Sequence, residues 1–134
     1  MNYLEAEVLD IRSEGPFRDI RLRSGGADFR VLTLEPPAGI VAGRPVGIVF
    51  KETEVILASG KAGESTIANR LAAQVTSVRK GELFSELVLE SGAGLLRAVV
   101  LTDRLEELGI ETGQSLLALI RAVDISLQIL PEAA

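Results

Sequence analysis

The chain of 134 residues repeats itself, and no other feature narrows its folding so far. Moved by 67 places, Asn2-Tyr3-Leu4 falls on Asn69-Arg70-Leu71, and Val8 falls on Val75. Without a gap, Phe17 then meets Phe84, Leu22 meets Leu89, Ser24-Gly25 meets Ser91-Gly92, and Arg30 meets Arg97. After a three-residue difference the match resumes. Ile40 and Gly43 align with Ile110 and Gly113, Lys51 with Arg121, and Glu54-Val55 with Asp124-Ile125. Because Gly, Asn and Phe positions recur beside the aliphatic alternation, shared strand character alone does not account for the match.

Two copies of about 60 residues each lie near the lower limit for a self-sufficient core. Each is therefore expected to lean on the other or on a second chain. Residues 1–58 make the first module and 66–130 the second. The small, polar stretch 59–65 reads as the linker.

The period inside each copy is mostly two, as on half-buried strands: residues 4–11, 20–23 and 29–34, with 86–90 and 95–101 in the second copy. A last strand is expected over 45–57 and over 115–129. Thr102-Asp103-Arg104-Leu105-Glu106-Glu107-Leu108-Gly109 has a Thr cap, a Leu105/Leu108 stripe and a closing glycine, and predicts a short helix. The first copy has Glu35-Pro36-Pro37-Ala38-Gly39 there, which leaves only a turn. The fold class is mainly all-β: two tandem OB-like small barrels, with a short helix in the second. An open-faced sandwich is the alternative.

Cysteine and histidine are both absent, which excludes disulfides, zinc sites, Cys nucleophiles and His acid–base pairs. No calcium-loop spacing points to a free metal cation. A net charge of −5, with four Phe, one Tyr and no Trp, argues against nucleic acid. No apolar run suits membrane insertion, and Met1 is followed by no basic and then apolar stretch. A cytoplasmic, non-enzymatic protein without an organic cofactor is expected. Phe17 and Phe84 are expected to plug the core, and the Glu106-Glu107 pair to face solvent.

Three stretches carry a family resemblance. They are Thr66-Ile67-Ala68-Asn69-Arg70-Leu71, Leu105-Glu106-Glu107-Leu108-Gly109 and Arg121-Ala122-Val123-Asp124-Ile125, with Asn2 to Val8 and Lys51-Glu52-Thr53-Glu54-Val55 in the first copy. Together they resemble the molybdate-binding Mop/TOBE module, in the paired form of a molbindin. That resemblance implies a tetrahedral oxyanion, molybdate or tungstate, bound where the opening stretch of one module meets the Lys-Ala-Ser/Thr segment of another. It implies storage, homeostasis or sensing; the alternative is a ligand-free oligomerisation pair attached to an ABC transporter or a transcription regulator. It also implies self-association, with a trimer favoured and a dimer otherwise.

Carried over by position, Lys51 and Thr53 keep a charge and a hydroxyl, Arg121 keeps a cation, and Thr66 keeps a hydroxyl. Glu52, Ile67, Ala68 and Ala122 are expected to contribute backbone N–H groups, and Asn69, like Asn2, to fix a local turn. One pocket is expected to join residues 66–69 to residues 51–53, and a degraded second one to surround Arg121. The sequence departs from the family where Ala68 replaces an arginine, Val123 a hydroxyl and Glu52 a small neutral residue.

Overall fold

The computed structural model describes residues 1–59 and 65–131. Most of the expected linker, residues 60–64, lies outside the described residues. The first copy contributes strands β1 (Asn2–Glu14), β2 (Phe17–Ser24), β3 (Ala27–Thr33), β4 (Pro45–Phe50) and β5 (Ile56–Ala58). The second contributes β6 (Asn69–Lys80), β7 (Phe84–Ser91), β8 (Gly94–Leu101), helix α1 (Thr102–Glu107), β9 (Ser115–Ile120) and β10 (Ser126–Ile129).

Along β1 and β6 burial alternates residue by residue, as a sheet with one face inward requires. Each long strand serves two partners. Residues 2–7 of β1 pair with β4, and beyond a register shift between Val8 and Asp10 the strand continues along β2. The same shift recurs between Val75 and Ser77 of β6. A bulge there bends and twists the strand, which curls each five-stranded sheet into an OB-like barrel wall.

The sheets do not follow the copies. Their orders are β10-β4-β1-β2-β3 and β5-β9-β6-β7-β8, so each copy completes the other's sheet with its last strand. The segments expected as single strands, 45–57 and 115–129, are therefore each broken. Backbone turns at Glu52–Glu54 and Ala122–Asp124 carry the chain from one sheet to the other. We call them the first and second crossing turns. The first packs on β8 and the second on β3. Buried aliphatics of both copies form one continuous core, including Val8, Leu22, Ile48, Leu89, Ala118 and Ile120. This is the mutual support that two copies of that size need.

Several expectations are corrected. Thr102 does not cap α1; Leu101 does, and Thr102 is the first helical residue. Its hydroxyl turns inward, donating to the Gly81 carbonyl at 2.9 Å and lying 2.8 Å from the buried Ser85 hydroxyl. Leu105 is buried but Leu108 is exposed, because the helix spans too few turns to bury a stripe. Its end is as expected: Gly109 takes φ 64°, while Gly109 and Ile110 donate to the carbonyls of Glu106 and Leu105. Phe17 and Phe84 are not core plugs; they are 47% and 57% exposed. Burial in β2 falls on Ile20, Leu22 and Ser24, and in β7 on Ser85, Leu87 and Leu89. Strand parity thus turns both rings outward.

Candidate functional site

Asn2 opens β1 and Asn69 opens β6, and both are almost completely buried, at 5% and 1% exposure. Neither fixes a local turn. The Asn69 side-chain amide donates to the Arg30 carbonyl at 2.8 Å and accepts from the Arg30 N–H at 2.7 Å. Asn2 does the same to Arg97, with both bonds at 2.8 Å. Arg30 sits on β3 and Arg97 on β8, each the outer strand of the opposite sheet. Opposite Arg30 and Arg97 stand Arg21 and Val88, outside the hydrogen-bonded pairs of these hairpins, so their N–H and C=O point to the open edge. An asparagine amide presents one donor and one acceptor in the geometry of a neighbouring strand. Each opening Asn therefore stands in for one residue of a strand the sheet lacks.

That grip brings three segments together. The register places Asn2 opposite Phe50 and Asn69 opposite Ile120, so each opening stretch reaches the start of its own copy's crossing turn. Residues 66–68 thus lie beside Arg121 and Ala122, with β3 of the other copy as the third wall. Lys51, Glu52 and Thr53 lie beside Met1 and Asn2, with β8 as theirs. The pairing does not set residues 66–69 against residues 51–53.

Of the expected site residues, Lys51, Thr53, Thr66 and Arg121 are exposed; Glu52, Ile67, Ala68 and Ala122 are half-buried; Asn69 is buried. The Lys51 N–H donates to a Glu54 carboxylate oxygen at 2.8 Å, and the Glu54 N–H closes the first turn on the Lys51 carbonyl at 3.0 Å. The Ile67 N–H is taken by the Ser65 hydroxyl at 3.2 Å. At the start of a helical turn the leading amides have no acceptor within the turn; with the Glu52 N–H turned to its own carboxylate, the Thr53, Ala122 and Val123 N–H groups are the leading donors left for an anion.

The charges are finely divided. Arg121 is bonded through two nitrogens to Asp124, at 2.8 and 3.0 Å, and its guanidinium is held more firmly protonated by that contact. Glu54 on the neighbouring turn adds to the effect. Glu52 accepts from the Met1 ammonium, which, with its own N–H and Arg97, holds its carboxyl below the ordinary carboxylate value. A hollow of about 310 Å³ opens beside it, lined by Glu52, Glu86, Leu87, Arg97, Ala98 and Val99.

Neither Arg30 nor Arg97, the strand residues whose backbones the opening asparagines grip, was among the expected site residues. Their signal was present, since they fall on each other in the repeat and arginine is not needed to build a strand. Nothing local in the sequence, however, brings β8 to residue 2.

Comparison with known proteins agrees with this frame. The TOBE domain family matches residues 65–127. Molybdenum-pterin-binding protein 1 of Clostridium pasteurianum is 34% identical over 58 residues, which are 42% of this chain and 85% of that protein. Molybdenum-pterin-binding protein 2 of the same organism is 33% identical over the same shares. Across both copies the fold is similar to that of the cytoplasmic molybdate-binding protein ModG in a molybdate-bound form. The TM-score is 0.89 at 23% identity, covering 96% of each chain. With its repeat, its exchanged strands and a relative matched over most of its length, this chain belongs to the Mop/TOBE family, in its tandem two-copy form.

Proposed function

We propose that the protein binds a tetrahedral oxyanion, molybdate or tungstate, at the crossing turns, and serves storage, homeostasis or sensing inside the cell rather than catalysis. A compact dianion needs converging N–H and O–H donors with a cation close by. Each crossing turn meets an opening stretch and the outer strand of the other copy, and that junction carries the reading. Lys51, Thr53 and the Thr53 amide supply charge and donors at the first. Thr66, the Ala122 amide and Arg121 supply them at the second. The molybdate-related names of the relatives and of ModG support the choice of ligand. Both junctions are open to solvent within one chain, so closure by a further copy is expected, most simply in a trimer.

Titrating the protein with molybdate, tungstate and sulfate by calorimetry tests this. The expected result is saturable heat with molybdate and tungstate and weaker heat with sulfate. No heat and no thermal shift with any of the three would leave the other reading, a ligand-free oligomerisation pair. One observation favours that reading at the second junction, where Arg121 is already neutralised by Asp124.

A further inference from the structure

The two junctions are equivalent by the repeat, but their arginines are not equally engaged. In the first copy Arg12, Asp19 and Arg30 form a chain: Asp19 accepts from Arg12 at 2.7 Å and from Arg30 at 2.9 and 3.3 Å. The counterparts are Arg79, Glu86 and Arg97. Glu86 takes Arg79 at 2.6 Å, but among the described residues Arg97 makes no ion pair. It instead lines the hollow of about 310 Å³ beside Glu52. Asn2 fixes its backbone there through two hydrogen bonds, whatever its side chain does.

We propose, resting on the oxyanion reading above, that this hollow is the tighter oxyanion site, with Arg97 of the second copy charging the first copy's crossing turn and Glu52 as a resident carboxylate that the ligand displaces. A guanidinium offers two parallel N–H groups that match two oxygens of a tetrahedral dianion. Arg97 is the cation that lines the hollow; of the two carboxylates that line it with Arg97, Glu86 is already satisfied by Arg79 and Glu52 is the one to be displaced. At the other junction Arg30 is occupied by Asp19 and Arg121 by Asp124. The same frame thus gives one junction whose strand arginine has no ion pair among the described residues and one whose strand arginine is paired.

The test is molybdate calorimetry on the full chain as wild type, Arg97→Ala, Arg97→Lys, Arg30→Ala and Glu52→Gln, with thermal melts to establish folding. Arg97 is exposed and held by its backbone, so its variants are expected to melt as wild type. Arg97→Ala should weaken the tightest binding by about tenfold or more, Arg97→Lys should restore part of it, and Arg30→Ala should change it less than about twofold. Glu52→Gln should tighten it by about tenfold, since a carboxylate beside a dianion opposes it. Wild-type affinity in folded Arg97→Ala, or equal losses in the two alanine variants, would overturn the assignment of Arg97 and leave oxyanion binding intact. Absence of molybdate heat in both wild type and Glu52→Gln would instead remove the oxyanion reading itself.

Discussion

At the scale of single residues, two asparagines hold what the backbone cannot. Each supplies one donor and one acceptor to an outer strand across the copy boundary, over sequence separations of 95 and 39 residues. Replacing Asn69 by Ala removes both bonds and strands the Arg30 N–H and C=O at a part-buried site. That should cost about 2–3 kcal/mol, read as a lower urea midpoint at unchanged slope. Asn2→Ala should match it, because the geometry at Arg97 is the same. A charge cluster belongs to this scale as well. The Arg30 hydrogen bond holds the Asp19 carboxyl below its ordinary value, against desolvation and with help from Arg12. A carboxyl depressed in the folded state stabilises fully at neutral pH, and that stabilisation is lost as the pH falls through its folded value. Wild type should therefore exceed Asp19→Asn in melting temperature at pH 7, and the difference should close only in acid below the ordinary carboxylate range. The asparagines were visible in the sequence as a repeated position. Their partners were not, because the contact is made by main-chain atoms, which every residue type carries alike.

Among the secondary-structure elements, alternation made the strands legible, and the same rule, applied to parity, turns Phe17 and Phe84 outward. Reading those rings as core weighed their hydrophobicity over their place in the period; counting from Ile20 or Leu87 gives the observed face. Helix α1 was legible through its closing glycine. Its cap was not, since the Thr102 hydroxyl turns inward to Gly81 and Ser85 and does not accept from the N–H groups of its own first turn. A single pair of substitutions separates the buried from the exposed leucine of this element. Leu105→Ala should destabilise by about 2–4 kcal/mol, by cavity formation. Leu108→Ala should stay within about 0.5 kcal/mol, as surface substitutions do. The crossing turns were hidden because no glycine or proline marks 51–55 or 121–125, and nothing local in them says which sheet the following strand joins.

For the whole molecule, the rings that parity turns outward matter most. Leu83, Phe84 and Leu101 are exposed around the start of β7, where Phe84 pairs with Leu101, and Phe17 and Leu34 are exposed at the matching place on the first copy. Contiguous exposed aliphatic and aromatic side chains mark surfaces that other chains cover. Light scattering should give a mass above that of one chain at micromolar concentration, and Phe84→Glu should lower it while leaving the circular-dichroism spectrum of the folded chain unchanged. The reciprocal exchange of β5 and β10 has its own outcome. In the Clostridium relatives the 58 matched residues make up 85% of the protein, so there is room for one copy only. A lone copy that gives its last strand away must receive one from another molecule, and its frame then obeys mass action and comes apart on dilution. Joining the copies end to end turns that encounter into an intramolecular one, at an effective concentration set by a short tether. The denaturation midpoint of the Phe84→Glu chain, freed of association between chains, should therefore stay put, unlike that of such a partnered half, as the protein is diluted toward the nanomolar range.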